Sequence, residues 1–263
     1  GRLIGNDGLW VGAHWWFGPG LNLHRTPYNG RNNEYYSEDS VLSGNMAVDV
    51  VKGCQAKGIV ACAKHYAFND QETAREGVGV FTSEQAAREN ELRGFELAIT
   101  RGKMKSVMTG FNRAGVIHTS MHSGLISGIL RGEWGHEGLV ITDSVKDKNY
   151  MLAAESVMAG TDFMLGGSGV IPDSWSNISA ENVINDKALL GALREAMHRY
   201  LYTFADSALV DGYPETVTFA ADPWWEVLLL SLLIVSGVLV AASGGLWTAS
   251  AVLEHRQKEG GAK

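Results

Sequence analysis

From Val227 to Leu253 no side chain carries a charge, and the run reads VLLLSLLIVSGVLVAASGGLWTASAVL. It is longer than the roughly 20 residues that a helix needs to cross a bilayer. A buried core helix of that length normally keeps a polar face, so the run predicts a membrane span over 227–253. Trp224, Trp225 and Trp247 lie near its two ends, as interfacial aromatics do. His255, Arg256 and Lys258 follow the run, while Asp222 and Glu226 precede it. Basic residues favour the cytoplasmic side, and Glu254 and Glu259 count for little against them. The expected topology is a single-pass cell-membrane protein with its bulk outside and a cytoplasmic tail over 254–263. Gly237 and Ala241 form a small-xxx-small pair, a pattern found where spanning helices pair.

The rest of the 263-residue chain has room for one large domain or two small ones. Its formal net charge is −7, with no basic block except at the extreme C-terminus. Nucleic-acid binding therefore has no electrostatic footprint. Cys54 and Cys62 lie eight residues apart, which is no CxxC pair and too few cysteines for a disulfide framework. They read as small core residues. No metal-ligand cluster and no glycine-rich phosphate loop appears, so neither a metal nor a cofactor is expected. The chain opens at GRLIGNDGLW, without Met or a signal peptide. Export needs a signal, so the expectation is a longer protein with sequence upstream of Gly1.

Before residue 222, apolar runs rich in β-branched residues alternate with helical patterns. HWWFGPGLNL (14–23), GIVACAKHYA (58–67), KSVMTGFN (105–112), GLVITDS (138–144) and TDFMLGG (161–167) read as buried strands. EDSVLSGNMAVDVVKGCQAKG, TSEQAARENELRGFELAITRG with a Ser83 cap, and HSGLISGILRGEWG read as helices between them. Later, Leu189, Leu193, Met197 and Tyr200 fall on one helical stripe. Such alternation predicts an α/β fold with a parallel sheet covered by helices. A doubly wound sheet and a (β/α)8 barrel both fit that pattern. His24, Arg25, Lys64, His65, Asn112 and Asp143 lie at or just after strand C-terminal ends, which favours the barrel. GPGLNLHR supplies no GxGxxG turn, which a dinucleotide fold would want. Only five strand units are visible, so a closed eight-stranded barrel would require missing strands upstream. The expectation is a TIM-type barrel incomplete at its N-terminus, followed by the transmembrane helix.

A Lys-His pair alone is more often a solvated turn than a site. Lys64 and His65, however, sit between wholly apolar IVACA and mostly apolar YAFND. Arg31 lies in a loop rich in turn formers, and its fork suits several oxygens at once. With Asp143 these form a carboxylate and three nitrogen donors on neighbouring strand ends. Hydroxyl-rich neutral ligands need such an array, because each buried unpaired hydroxyl weakens binding.

In this order and spacing, GPGLNLHRTPYNGRNNEYYSED, AKHYAFNDQE, VMTGFNRAGV and LRGEWGHEGLVITD resemble glycoside hydrolase family 3, the β-glucosidases and related exo-acting enzymes. The resemblance covers about residues 1–213 and implies a barrel domain there, with a linker over 214–226. It implies a retaining exo-β-glycosidase acting on terminal β-linked sugars of glycosides or oligosaccharides. Asp143 would be the nucleophile, with Arg31, Lys64 and His65 hydrogen-bonding the terminal sugar. Phe111 would join the sugar-binding set at a position usually held by Tyr. Ser144 stands where the family often has Trp. Both departures bear on substrate preference more than on reaction type. The N-acetylglucosaminidase branch resembles KHFPGHG, whereas this chain has KHYAFND.

A retaining enzyme needs a second carboxyl group as acid/base. The family commonly takes that Glu from an α/β sandwich domain. Residues 188–213 resemble the ending of a branch in which the sandwich comes first, so the expected source is upstream sequence. Glu34, Glu38, Asp39, Asp70 and Glu72 look like structural loop residues in the family pattern. The rival expectation is a membrane-tethered carbohydrate-binding protein without catalysis.

Overall fold

The computed structural model describes residues 1–145, 150–166, 178–205, 207–212 and 224–260, with side chains as far as 253 in the last segment. It divides into two units, Gly1–Val217 and Thr218–Lys263.

The first unit is α/β. In chain order it holds α1 (Arg2–Trp10), β1 (Trp15–Trp16), α2 (Ser40–Gln55), β2 (Val60–Tyr66) and β3 (Gly79–Val80). A helical stretch follows as α3 (Glu84–Ala86), a π-turn over Ala87–Glu91, and α4 (Arg93–Thr100). Then come β4 (Ser106–Thr109), β5 (Arg113–Ala114), β6 (Ile117–His118), a π-helix over Gly124–Glu133 and β7 (Leu139–Ile141). The helices α5 (Ala153–Ala159), α6 (Ala180–Asn185) and α7 (Lys187–Ala205) close the unit.

Strands β1-β2-β4-β7 form a parallel four-stranded sheet in that order. Parallel bridges Ile141↔Phe163 and Val145↔Gly166 extend it where TDFMLGG predicts a strand. The strand expected over 14–23 is regular only at Trp15–Trp16. Pro19 has no N–H to give the ladder. The chain still runs beside β2 as far as Leu21, whose N–H donates to the Lys64 carbonyl at 2.7 Å.

Both faces of the sheet are buried, as parallel sheets require. Ala61, Ala63, Val107 and Val140 pack with Ala47 and Val51 of α2, Phe95 and Ala98 of α4, and Ile126 and Leu130 of the π-helix. Val60, Cys62, Met108, Leu139 and Ile141 point the other way, onto Trp15 and onto Tyr200 and Phe204 of α7. Cys54 and Cys62 are free, buried thiols. The stripe expected on α7 is only partly the buried one. Leu189, Ala196 and Thr203 face inward at seven-residue spacing, and Phe204 with them, whereas Met197 is 57% exposed. Tyr200 stacks on Phe163 at 6.3 Å between ring centroids, so the face is set by the end of the sheet it meets.

One buried carboxylate ties four of these pieces. Asp162 Oδ2 accepts from Arg131 Nη2 at 2.7 Å and from the Val140 N–H at 2.7 Å. Its Oδ1 accepts from Arg199 Nε at 2.7 Å. The side chain is fully shielded from solvent.

The helix boundaries follow local chemistry. Asp39 Oδ1 accepts from the Val41 and Leu42 N–H groups at 2.8 and 2.9 Å, which caps α2. Ser83 does the same for α3 through Ala86 N–H at 3.2 Å. Gly160, at φ 105°, ends α5 in the left-handed conformation glycine tolerates best. Asp39→Ala should lower stability by about 1 kcal/mol, the usual loss on removing an N-cap. Thermal unfolding checks this, and an unchanged melting temperature would contradict the capping role.

Among its described residues the second unit is a single helix, α8 (Trp224–Gly260). Its Trp224–Leu253 stretch has a mean hydropathy of 2.5 and is long and apolar enough to cross a membrane. The helix takes in part of the expected linker and part of the expected tail. Trp224–Glu226 begin the helix and residues 254–260 continue it, while 214–223 and 261–263 lie outside the described residues.

Candidate active site

The site forms where the sheet strands end. Between Ala63 and Tyr66 the β2–β4 register slips, with three steps on β2 against two from Val107 to Thr109 on β4. The extra residue is a bulge, and bulges re-aim side chains. Lys64 and His65 lie inside it. Asp143 leaves the end of β7, and Arg31 precedes the short 3₁₀ turn Asn32–Glu34.

Asp143 and His65 are brought together, with His65 Nε2 3.6 Å from Asp143 Oδ2. The other carboxylate oxygen, Oδ1, accepts from the Ser144 N–H at 2.7 Å. The Asp143 side chain is 14% exposed and that of His65 only 2%. Burial pushes the Asp143 carboxyl above the usual range, and the Ser144 N–H, Arg75, Arg31 and Lys64 pull the other way without cancelling it. Burial, with Arg31 and Lys64 nearby, holds His65 well below the usual imidazole range, so it is neutral.

The cations are paired with other carboxylates. Arg31 forks onto Glu34 with two bonds of 2.8 Å, and Lys64 Nζ lies 3.1 Å from the same carboxylate. Arg31 also approaches Glu72 at 3.5 Å, and Arg75 pairs with Glu72 at 2.8 Å. The result is an alternating row, Lys64–Glu34–Arg31–Glu72–Arg75. The Arg75 guanidinium lies 4.2 Å over the Phe111 ring. Phe111 is buried with Val145 and Met151, and the Tyr150 hydroxyl donates to its carbonyl. Phe111 thus forms a floor beneath Arg75.

Three contributors escape the sequence reading. Asn22 donates to the His65 carbonyl at 3.0 Å and accepts from the His65 N–H at 2.8 Å. The Tyr35 hydroxyl lies 3.3 Å from His65 Nδ1. Arg75 sits in a polar loop with no periodicity to mark it; Asn22 carried the one usable signal, a lone amide between two buried leucines. Among the described residues no group of three His, Cys, Asp or Glu side chains gathers to hold a metal ion.

Residues 1–185 match the model of the glycosyl hydrolase family 3 N-terminal domain. This chain belongs to glycosyl hydrolase family 3. A β-glucosidase of Bacteroides ovatus is 36% identical over 219 residues, 76% of this chain and 29% of that protein. A probable β-glucosidase I of Emericella nidulans is 40% identical over 167 residues, 64% of this chain and 20% of that protein. Among solved structures, β-glucosidase 3B of Thermotoga neapolitana in complex with glucose superposes with a TM-score of 0.74 at 34% identity. That superposition covers 82% of this family 3 chain and 30% of the other. The chain therefore spans less than a third of the relatives it matches.

Proposed function

We propose that this chain carries the nucleophile and sugar-binding part of a retaining, exo-acting β-glucosidase. The observation that carries the reading is a shielded Asp143 at a strand end, beside neutral His65 and the row of cations, in a family 3 chain. Asp143 would attack the anomeric carbon of a terminal β-glucoside as the aglycone departs with a proton, leaving a glycosyl ester. Water then cleaves the ester and restores the carboxylate. Arg31, Lys64 and His65 would engage the hydroxyls of the terminal sugar.

The acid/base is not among the carboxylates around Asp143 in this reading. Glu34 is held down to about 2, first by the Arg31 hydrogen bonds and then by Lys64, so it carries no proton to give near neutrality. Glu72 is gripped by Arg31 and Arg75. An α/β sandwich domain of the complete protein, bearing a loop Glu, is the proposed source. We also read residues 1–213 as part of a (β/α)8 barrel. In support, Trp15 of the first strand reaches Phe163 at the far end of the sheet, 6.3 Å between centroids. The α8 helix is read as a membrane anchor, with His255, Arg256 and Lys258 on the cytoplasmic side and the catalytic region outside.

A 2-fluoro β-glucoside that traps the glycosyl ester tests the reading on the full-length enzyme. The expected result is one label, on the peptide containing Asp143. Binding without any label would favour the non-catalytic carbohydrate-binding protein instead.

A further inference from the structure

His65 Nδ1 has two neighbours, Asn22 Oδ1 at 3.2 Å and the Tyr35 hydroxyl at 3.3 Å. The Asn22 amide is oriented independently of the ring, because its Nδ2 donates to the His65 carbonyl and its Oδ1 accepts from the His65 N–H. Oδ1 is therefore an acceptor with no proton to offer. A bare Nδ1 would set two lone pairs against each other at 3.2 Å. A protonated Nδ1 satisfies Asn22, and the Tyr35 oxygen, which also meets the Asn69 side chain, can accept from it as well. In a neutral imidazole the second nitrogen must then be bare. That nitrogen, Nε2, faces Asp143 Oδ2 at 3.6 Å, too long for a direct bond and with an acceptor on each side.

We infer that Asn22 is a positioning residue that fixes the tautomer of His65, so that Nε2 meets an incoming ligand as a hydrogen-bond acceptor. The ligand class follows: a group with an O–H, such as a sugar hydroxyl lying beside the 3.6 Å gap, can donate to Nε2, whereas an ether or carbonyl oxygen there finds no donor on His65. This last step rests on the glucosidase reading, while the tautomer does not.

Histidine-selective ¹⁵N labelling of the chain reads the tautomer directly, with His65 assigned by the signals lost in His65→Gln. The expected spectrum at neutral pH shows a protonated Nδ1 and a bare Nε2. A protonated Nε2, or an imidazolium, overturns the inference. In Asn22→Ala the Nε2–H tautomer should gain population, because the Tyr35 hydroxyl can then donate to Nδ1. An unchanged tautomer in a folded Asn22→Ala chain removes the role of Asn22. Asn22→Asp keeps an acceptor in place and should retain Nδ1–H even if the alanine variant does not fold, and losing that proton counts against the inference. D-glucose should then shift the bare Nε2 resonance as it takes up a donor. An unmoved resonance with glucose bound overturns the acceptor role. Absence of glucose binding overturns the sugar reading and leaves the tautomer result standing.

Discussion

If Asp143 is the nucleophile, Asp143→Asn in the full-length enzyme should lower kcat on an aryl β-glucoside by at least about 10⁴-fold, the scale seen when a covalent nucleophile is removed. The amide has nearly the same shape and can still accept from the Ser144 N–H, so substrate binding and thermal stability should stay close to wild type. What is lost is the bond to the anomeric carbon, and about 10⁴-fold corresponds to roughly 5.4 kcal/mol of barrier. Single-turnover kinetics with a good leaving group checks this, and a residual rate within tenfold of wild type would remove Asp143 from the mechanism. The same residue shapes the pH profile. Burial raises its pKa, so it is still protonated at a pH where an ordinary aspartate has ionised. Attack needs the ionised form, so kcat/KM should fall on the acid side at a higher pH than for an unperturbed carboxylate. If the proton donor lies in another domain, as proposed above, the 263-residue chain alone should turn over little.

Asp162→Ala is expected to be the most damaging change to the fold. Removing one partner of a buried ion pair leaves uncompensated charge and typically costs about 3–5 kcal/mol. Here Arg131 and Arg199 lose their shared carboxylate and the Val140 N–H its acceptor, while Arg131 keeps only the backbone carbonyls of Gly160, His136 and Gly138. Whole domains are stable by only about 5–15 kcal/mol, so the variant should unfold at far lower denaturant or fail to accumulate. Urea titration of the wild type and of Asp162→Ala and Asp162→Asn measures it. The amide keeps one acceptor oxygen and should lie between the two. A loss under about 1 kcal/mol for alanine would show that the two arginines find other partners.

Strand–helix alternation and the parallel sheet are legible in the sequence because burial on both faces leaves near-continuous apolar runs. IVACA and GLVI could sit nowhere else. Strand-end polar residues are legible for the same reason, since they interrupt those runs abruptly. The membrane-length helix is legible from charge alone, but its ends are not, because a helix continues through polar residues wherever nothing stops it. Which face of α7 is buried escapes the pattern, since leucine and methionine recur on both sides and only contact with Phe163 and the sheet selects one. The pairing of Lys64 and Arg31 with Glu34 also escapes it. The sequence marks them as nitrogen donors near a carboxylate, but which carboxylate they choose depends on how the loop before α2 turns back over β2.

The alternating row from Lys64 to Arg75 has an entropic consequence for whatever binds above it. Long cationic side chains ordinarily lose rotamer freedom when a ligand arrives, at about 0.5–1.5 kcal/mol for each one immobilised. Lys64, Arg31 and Arg75 are already held by Glu34 and Glu72, so for three side chains that loss, about 1.5–4.5 kcal/mol in total, falls in folding rather than in binding. An incoming ring meets a surface that is stiff before it arrives, and its affinity depends on fit and exchange of water more than on ordering the protein.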